Sequence, residues 1–246
     1  SGGHCFAGRS STSGIVIDVG PLRSVDVDGE RVTVGAGVQL GELYPTLAGH
    51  GLTLPAGCGN TVGMAGLTLG GGFGILGRRY GLTADRLVAA AVVLADGRVV
   101  DCDEARDSDL FWALRGAGGG EFGVVTTLTF RAVPALDATA FHLVWPHAVA
   151  ARVVQAWQDW APDAPDELAA SMIVTADADP GRPPLVNVFG AMTDTESTTT
   201  ALLSRFVAAV GADPGDAVAA TRAYPGTKQY LTELGGRMAG HVGYAI

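Results

Sequence analysis

The apolar and polar positions of this chain fall into two textures that change near Pro134. Upstream, short alternating runs are set between turns. Ser24–Val34 (SVDVDGERVTV) and Ala90–Cys102 (AAVVLADGRVVDC) each alternate across an Asp-Gly pair, at Asp28-Gly29 and Asp96-Gly97. Alternation gives a strand one inward face, and glycine tolerates the positive φ of a two-residue turn, so both stretches are predicted β-hairpins. Between them, residues 38–51 (VQLGELYPTLAGHG) carry a short amphipathic helix that breaks near Gly49. Asp107 or Ser108 is placed to cap another helix over 109–116 (DLFWALRG), which Gly116 ends. Residues 122–130 (FGVVTTLTF) then read as a strand.

Downstream the segments lengthen. Residues 139–145 (TAFHLVW) form a predicted strand and 148–160 (AVAARVVQAWQDW) an amphipathic helix. Two more strands, 171–177 and 184–192, flank the turn DPGRPP. Residues 193–211 open on capping Thr and Asp and close on Gly211, the signature of a bounded helix. This alternation predicts an α+β fold in which helices cover one face of a sheet. The change of texture divides the chain into two domains, 1–134 and 135–246.

Composition narrows the function. Of 36 glycines, 27 lie at or before Pro134, which is why turns dominate there. They show no collagen-like period, and 48% of residues are hydrophobic, so collagen and disorder are excluded. A chain of 246 residues buries a core without a disulfide or metal framework. Three cysteines at irregular spacing suit neither a disulfide scaffold nor a zinc ribbon, and no metal site is expected. A net charge of -9 repels phosphate backbones, so nucleic acid is not an expected partner. Leu43–Gly77 lacks Asp, Glu, Lys and Arg and is long enough for a bilayer. Its glycines, Pro45 and Pro55 would expose backbone to lipid, so it reads as a buried, turn-rich segment of a soluble chain with no membrane partner. The chain opens at Ser1 inside a glycine cluster and closes on HVGYAI without a terminating signal; a fragment is expected, with no indication of compartment.

Three glycine clusters remain: Ser1–His4, Gly66–Gly74 and Gly116–Gly123. Such runs let backbone N–H groups form a concave anion nest. Gly72-x-Gly74-x-x-Gly77 and Gly118-x-Gly120-x-x-Gly123 match the dinucleotide fingerprint as strings. That fingerprint needs strand, turn and helix in order, whereas one string lacks a continuous helix after it and the other follows a helix. No Gly-Lys-Ser/Thr occurs, so a P-loop is excluded.

In order along the chain, SGGHCFAG (1–8), LPAGCGNTVGMAGLTLGGGFGILGRRYGLTADRL (54–87) and GGGEFGVVT (118–126) resemble the berberine-bridge-enzyme-like branch of the vanillyl-alcohol-oxidase flavoprotein superfamily. The motifs keep the family's order and spacing over residues 1–134; beyond them the likeness is architectural. The resemblance implies an α+β protein. Residues 1–134 would be a PCMH-type FAD-binding domain, starting in the pyrophosphate loop and lacking the N-terminal subdomain. Residues 135–246 would be part of an α+β substrate domain with an antiparallel sheet covered by helices.

In that family the S-G-G-H loop wraps the FAD pyrophosphate with backbone amides, which implies Ser1, Gly2 and Gly3, with Cys5 and Gly8 completing the loop. Cys5 and Cys102 are otherwise expected to be structural. The histidine after the glycine pair commonly bonds to the flavin 8α-methyl, which implies attachment at His4; imidazole is a good neutral nucleophile near pH 7. A capping or solvent-facing histidine is the bland alternative. Some relatives form a second bond from a cysteine in G-x-C-x-x-x-G. In Gly57–Gly63 the cysteine, Cys58, stands one position early, and an offset of one turns a side chain away. Leu67 also stands where many doubly linked relatives have histidine. Both departures favour a single bond, with Cys58 a small buried residue. The resemblance puts Gly57, Cys58, Thr61, Val62, Gly63, Gly66 and Leu67 along the isoalloxazine and ribityl chain. Gly70, Gly71, Gly72 and Gly74 would turn the backbone beneath the cofactor, and Gly123, Val124 and Val125 would face the adenosine side. Arg78 and Arg79 read as an exposed pair.

A bound FAD accepts hydride from a C–H bond next to oxygen or nitrogen. The implied activity is an FAD-dependent oxidase or dehydrogenase acting on a small alcohol, sugar or natural product, re-oxidised by O2 or another electron acceptor. Relatives carry their proton-accepting tyrosine farther along the chain, so no catalytic residue is assigned. His142, Trp145 and Asn187 lie on predicted strands; each faces a pocket, the covering helices or solvent. Without the N-terminal subdomain, residues 1–246 alone are expected to bind FAD weakly or not at all. Two rivals remain. A nicotinamide Rossmann dehydrogenase needs a strand directly before Gly72 or Gly118, and a non-catalytic degenerate flavin fold sits poorly with an intact His4 loop.

Overall fold

In a computed structural model, which describes residues 1–177, 179 and 181–239, the first Asp-Gly stretch folds back as β1 (Val25–Asp28) and β2 (Arg31–Gly35). Asp28 pairs with Arg31, leaving Gly29-Glu30 as the loop, with Gly29 at φ +56°. Helix α1 (Leu40–Ala48) follows, then β3 (Leu52–Thr53) and two short helices, α2 (Met64–Leu69) and α3 (Gly77–Tyr80). The second hairpin is β4 (Leu87–Val93) with β5 (Val99–Cys102). Its connection is longer than a two-residue turn. Leu94 N–H donates to Arg98 O, and Gly97, at φ +83°, takes the left-handed position that closes a three-residue loop. Helix α4 (Ser108–Ala113), β6 (Val124–Arg131) and β7 (Val133–Pro134) complete this unit.

These elements form one compact unit, Ser1–Ala135, around an antiparallel sheet of order β1-β2-β6-β4-β5. Apolar alternation decides the buried face: Val32, Val34, Leu128, Phe130, Ala90 and Val92 enter the core. Helix α1 meets them with Leu40, Leu43, Tyr44 and Leu47, a stripe at helical spacing. Each fully buried leucine contributes about 1.5–3 kcal/mol, so this stripe seats the helix firmly. Gly49 ends it. Helix α4 stops at Ala113, short of the predicted Gly116, and Asp107 precedes it at φ +46° without a side-chain cap.

The second unit, Leu136–Ile246, opens with β8 (Ala138–Pro146) and α5 (Ala150–Trp160), followed by β9 (Leu168–Thr175) and β10 (Leu185–Met192). Helix α6 (Glu196–Val210), β11 (Asp216–Arg222) and α7 (Tyr224–Ala239) come next. All pairings in the sheet, of order β11-β8-β10-β9, are antiparallel. Helices α5 and α6 cover one face, where Phe141, Leu143 and Trp145 of β8 and Val186 and Val188 of β10 are buried. Phe206 of α6 is the centre of that layer. Its ring centroid lies 4.7 Å from Trp160, 5.9 Å from Trp145 and 6.3 Å from Trp157. Thr195 caps α6 by accepting from Thr198 N–H, and Gly211 ends it at φ +65°.

Among the described residues no helix is long and apolar enough to cross a membrane. The apolar run Leu43–Gly77 contains most of α1 and all of α2, so it is more helical than its glycines suggested.

Phe206→Ala is expected to lower the unfolding free energy of the second unit by about 3–5 kcal/mol, the range for emptying a buried aromatic site. Urea denaturation followed by tryptophan fluorescence measures it; a loss below about 1 kcal/mol would show that the aromatic layer is not packed in this way.

Candidate functional site

Helix α1 organises the glycine loops. The first N–H groups of a helix have no partner within it. Here Leu40 N–H donates to Val62 O at 3.0 Å and Gly41 N–H to Asn60 O at 2.8 Å. Met64 N–H donates to Val38 O at 2.8 Å, so the loop carrying Cys58, Thr61 and Gly63 lies along the start of α1. The Tyr44 hydroxyl holds the loop's other end, donating to Gly57 O at 2.6 Å. Gly41 makes the approach feasible: a Cβ there would stand 3.0 Å from both the Cβ and the carbonyl oxygen of Asn60.

Residues 1–4 close on this loop backbone to backbone. A Cβ on Gly2 would overlap Gly63 N and come 2.5 Å from Thr61 O, and one on Gly63 would overlap Ser1 Oγ. Ser1 O accepts from the Gln39 side chain at 3.4 Å. Two residues beyond Gly2, His4 Nε2 lies 2.8 Å from Thr61 Oγ1. Ser1, Gly3, His4, Cys5 and Gly8 are exposed, and Gly8 N–H closes a turn onto Cys5 O. The N–H groups of Gly2, Gly3 and His4 donate to no group among the described residues. Three successive free donors beside an imidazole suit a polyphosphate.

The second cluster joins the same assembly. Gly66 and Gly70 are exposed on and after α2, and Leu67 is half-buried. Gly71 O accepts from Ala84 N–H and Gly72 O from Thr83 N–H, while the Thr83 hydroxyl donates to Pro55 O at 2.7 Å. Gly74 rests on the Ala56 backbone, where a side chain would overlap Ala56 O. The third cluster is tied in by Gly118 N–H donating to Leu69 O at 2.8 Å. Gly123 and Val124 lead into β6, and Val125, 5% exposed, turns its side chain into the core, which leaves only its backbone for a ligand.

The structure therefore brings Ser1, Gly2 and His4 onto Thr61–Gly63, held by Gln39, Gly41 and Tyr44, which no quoted motif contains. Thr83 ties the Gly71–Gly72 turn to Pro55 from within the second motif, and Gly8 closes only its own local turn. Helix α2 precedes Gly72 and α4 precedes Gly118, so neither G-x-G-x-x-G string follows the strand a nicotinamide fold requires. Arg78 and Arg79 are exposed. Cys58 is half-buried, less enclosed than its reading as a small buried residue required. Cys102 is buried, and burial pushes its thiol up from the ordinary range. The carboxylates held below their ordinary range, Asp96 by hydrogen bonds from Arg98 and Asp103 by those from Arg106, lie outside the glycine loops.

In the second unit the three strand candidates separate. Trp145 is fully buried beneath the helices, its Nε1–H donating to Ala212 O, so it lines no pocket. His142 and Asn187 share the opposite face of the sheet: His142 Nε2 lies 2.9 Å from Asn187 Oδ1. Asn187 Nδ2–H donates to Thr175 Oγ1 at 3.0 Å, and Phe189 meets the imidazole edge-on. Thr175 was not singled out from sequence. It is legible only through the register that sets Leu185 against it.

Residues 1–103 match a family described as FAD binding domain. The FAD-linked oxidoreductase YgaK of Bacillus subtilis, described as uncharacterized, is 42% identical over 168 residues, 65% of this chain and 37% of that protein. Among solved structures, a single-substitution variant of berberine bridge enzyme aligns with a TM-score of 0.83 at 29% identity, over 94% of this chain and 48% of that one. A glucooligosaccharide oxidase from Acremonium strictum, described with 6-S-cysteinyl, 8α-N1-histidyl FAD, aligns with a TM-score of 0.75 at 30% identity, over 87% of this chain and 45% of that one. The chain spans less than half the length of these relatives.

The thiols give a direct check on this geometry. In the folded chain, iodoacetamide should alkylate the exposed Cys5 well before the buried Cys102, which should react only on unfolding. Peptide mass mapping against time reads the order, and early labelling of Cys102 would contradict its placement.

Proposed function

Given that the chain belongs to the berberine-bridge-enzyme-like FAD-linked oxidoreductases, we propose that residues 1–134 supply the pyrophosphate-, ribityl- and flavin-facing loops of a PCMH-type FAD site and that His4 carries the flavin covalently. The observation that carries this reading is the seating of the His4 loop on Thr61–Gly63, with the N–H groups of Gly2, Gly3 and His4 free to face an anion. The fit is chemical as well as geometric: backbone donors suit a pyrophosphate, and a neutral imidazole suits an electrophilic carbon. Gly57, Thr61, Val62, Gly63, Gly66 and Leu67 would border the ring and ribityl chain. Gly70, Gly71, Gly72 and Gly74 would support the turn beneath them, and the backbone of Gly123, Val124 and Val125 would border the adenosine.

A single link through His4 is the reading we favour. Cys58 precedes, rather than occupies, the family's cysteine position, and Leu67 offers no imidazole there. When bound, FAD would take hydride from a C–H bond beside oxygen or nitrogen on an alcohol, sugar or natural product, and O2 or another acceptor would remove the electrons. Residues 135–246 would contribute a substrate domain, in which the buried Asn187 and Thr175 hold the half-buried His142 by hydrogen bonding.

The test uses the full-length protein that carries residues 1–246. It should purify yellow, and its flavin should stay with the protein on acid precipitation. His4→Ala should keep flavin bound in neutral buffer yet release it to the acid supernatant. A colourless wild type, or one whose flavin is acid-soluble, would refute the proposal.

A further inference from the structure

The geometry points to Thr61 as a positioning residue that selects which nitrogen of His4 bonds to the flavin; this rests on His4 being the attachment residue. The Thr61 hydroxyl engages Nε2 at 2.8 Å, which leaves Nδ1 as the ring nitrogen open to an electrophile. Neither partner is placed by its own side chain alone. The carbonyls on either side of Thr61, of Asn60 and Val62, are held by Gly41 N–H and Leu40 N–H at the start of α1. His4 is held from the other direction, because Gly2 lies against Gly63 with no room for a side chain between them. Backbone restraints on both loops keep the two side chains within hydrogen-bonding reach of each other.

The hydroxyl also suits the proton inventory of the step. With Thr61 Oγ1 accepting from Nε2–H, the neutral ring carries its lone pair on Nδ1. The bond that forms is Nδ1 to the flavin 8α carbon; the bond that breaks there is one 8α C–H, whose proton leaves to solvent. Positive charge then develops on the imidazole, and the Nε2 proton shared with Thr61 is the one released afterwards. Two protons and two electrons leave in all, and the electrons pass to O2 as oxidant, giving hydrogen peroxide. Removing the hydroxyl takes away both the orientation and the acceptor for the charged ring. A hydrogen bond to a charging group is worth about tenfold in rate.

The experiment compares full-length wild type, Thr61→Val and Thr61→Ser. Total bound flavin is measured in neutral buffer, the acid-stable fraction against time after adding FAD to apoprotein, and the linkage isomer by NMR correlation from the 8α-methylene protons in the isolated flavin peptide. Wild type and Thr61→Ser should form the Nδ1 isomer at similar rates. Thr61→Val, compared at equal bound flavin, should attach it about tenfold more slowly, or yield the Nε2 isomer. Equal rates and the Nδ1 isomer in Thr61→Val would overturn the role of Thr61 while leaving attachment at His4 intact. Loss of total flavin in Thr61→Val, not restored in Thr61→Ser, would overturn it in favour of a purely structural role. A wild type without histidyl flavin would overturn this inference together with the reading beneath it.

Discussion

Two glycine backbones in direct contact, Gly2 against Gly63, set the geometry on which the site depends. Any side chain at either position would collide with main-chain or near-main-chain atoms, which cannot give way as the tip of a flexible side chain can. The contact fixes the His4 loop to a second loop that is itself held by N–H groups at the start of α1 that have no partner within the helix. Helix α1 is in turn seated by its leucine stripe in the sheet core. Core packing, helix-end hydrogen bonding and glycine contact thus form one chain of dependence that ends at an imidazole beside a hydroxyl.

Much of the scaffold was legible in the order of residues because its signals are local. Asp-Gly pairs marked both hairpins, a leucine stripe marked α1, and Thr195 and Gly211 bounded α6. The elements that escaped notice have weak local signals. Strand β11 (DAVAATR) is rich in alanine and poor in β-branched residues, so its pairing with β8 makes it a strand. Helix α7 contains Pro225, Gly226, Gly235 and Gly236, all poor helix formers, and α2 hides inside a glycine cluster.

The site shows the same division. The glycine motifs announced that backbone would approach something closely, and the family resemblance named a flavin as the partner. What no pattern announced were the residues that hold those motifs together. Gln39 and Gly41 are ordinary positions in a helix start until the fold lays a loop across them. Trp145 was ambiguous because a strand presents alternate residues to opposite faces, and only the positions of α5 and α6 decide which face is buried. Thr61 lay in the expected cofactor set, but its hydrogen bond to a residue 57 positions earlier is a property of the fold alone.

The most direct test of this account is the glycine contact itself. In uniformly labelled protein, a through-space NOE should connect a Gly2 Hα to the Gly63 amide proton, since the position of a Gly2 side chain would fall against Gly63 N. Its presence, with non-random shifts for residues 1–4, is the predicted result. Random-coil shifts for those residues and no such cross-peak would contradict the account, because His4 would then lack the backbone contact that brings it to Thr61.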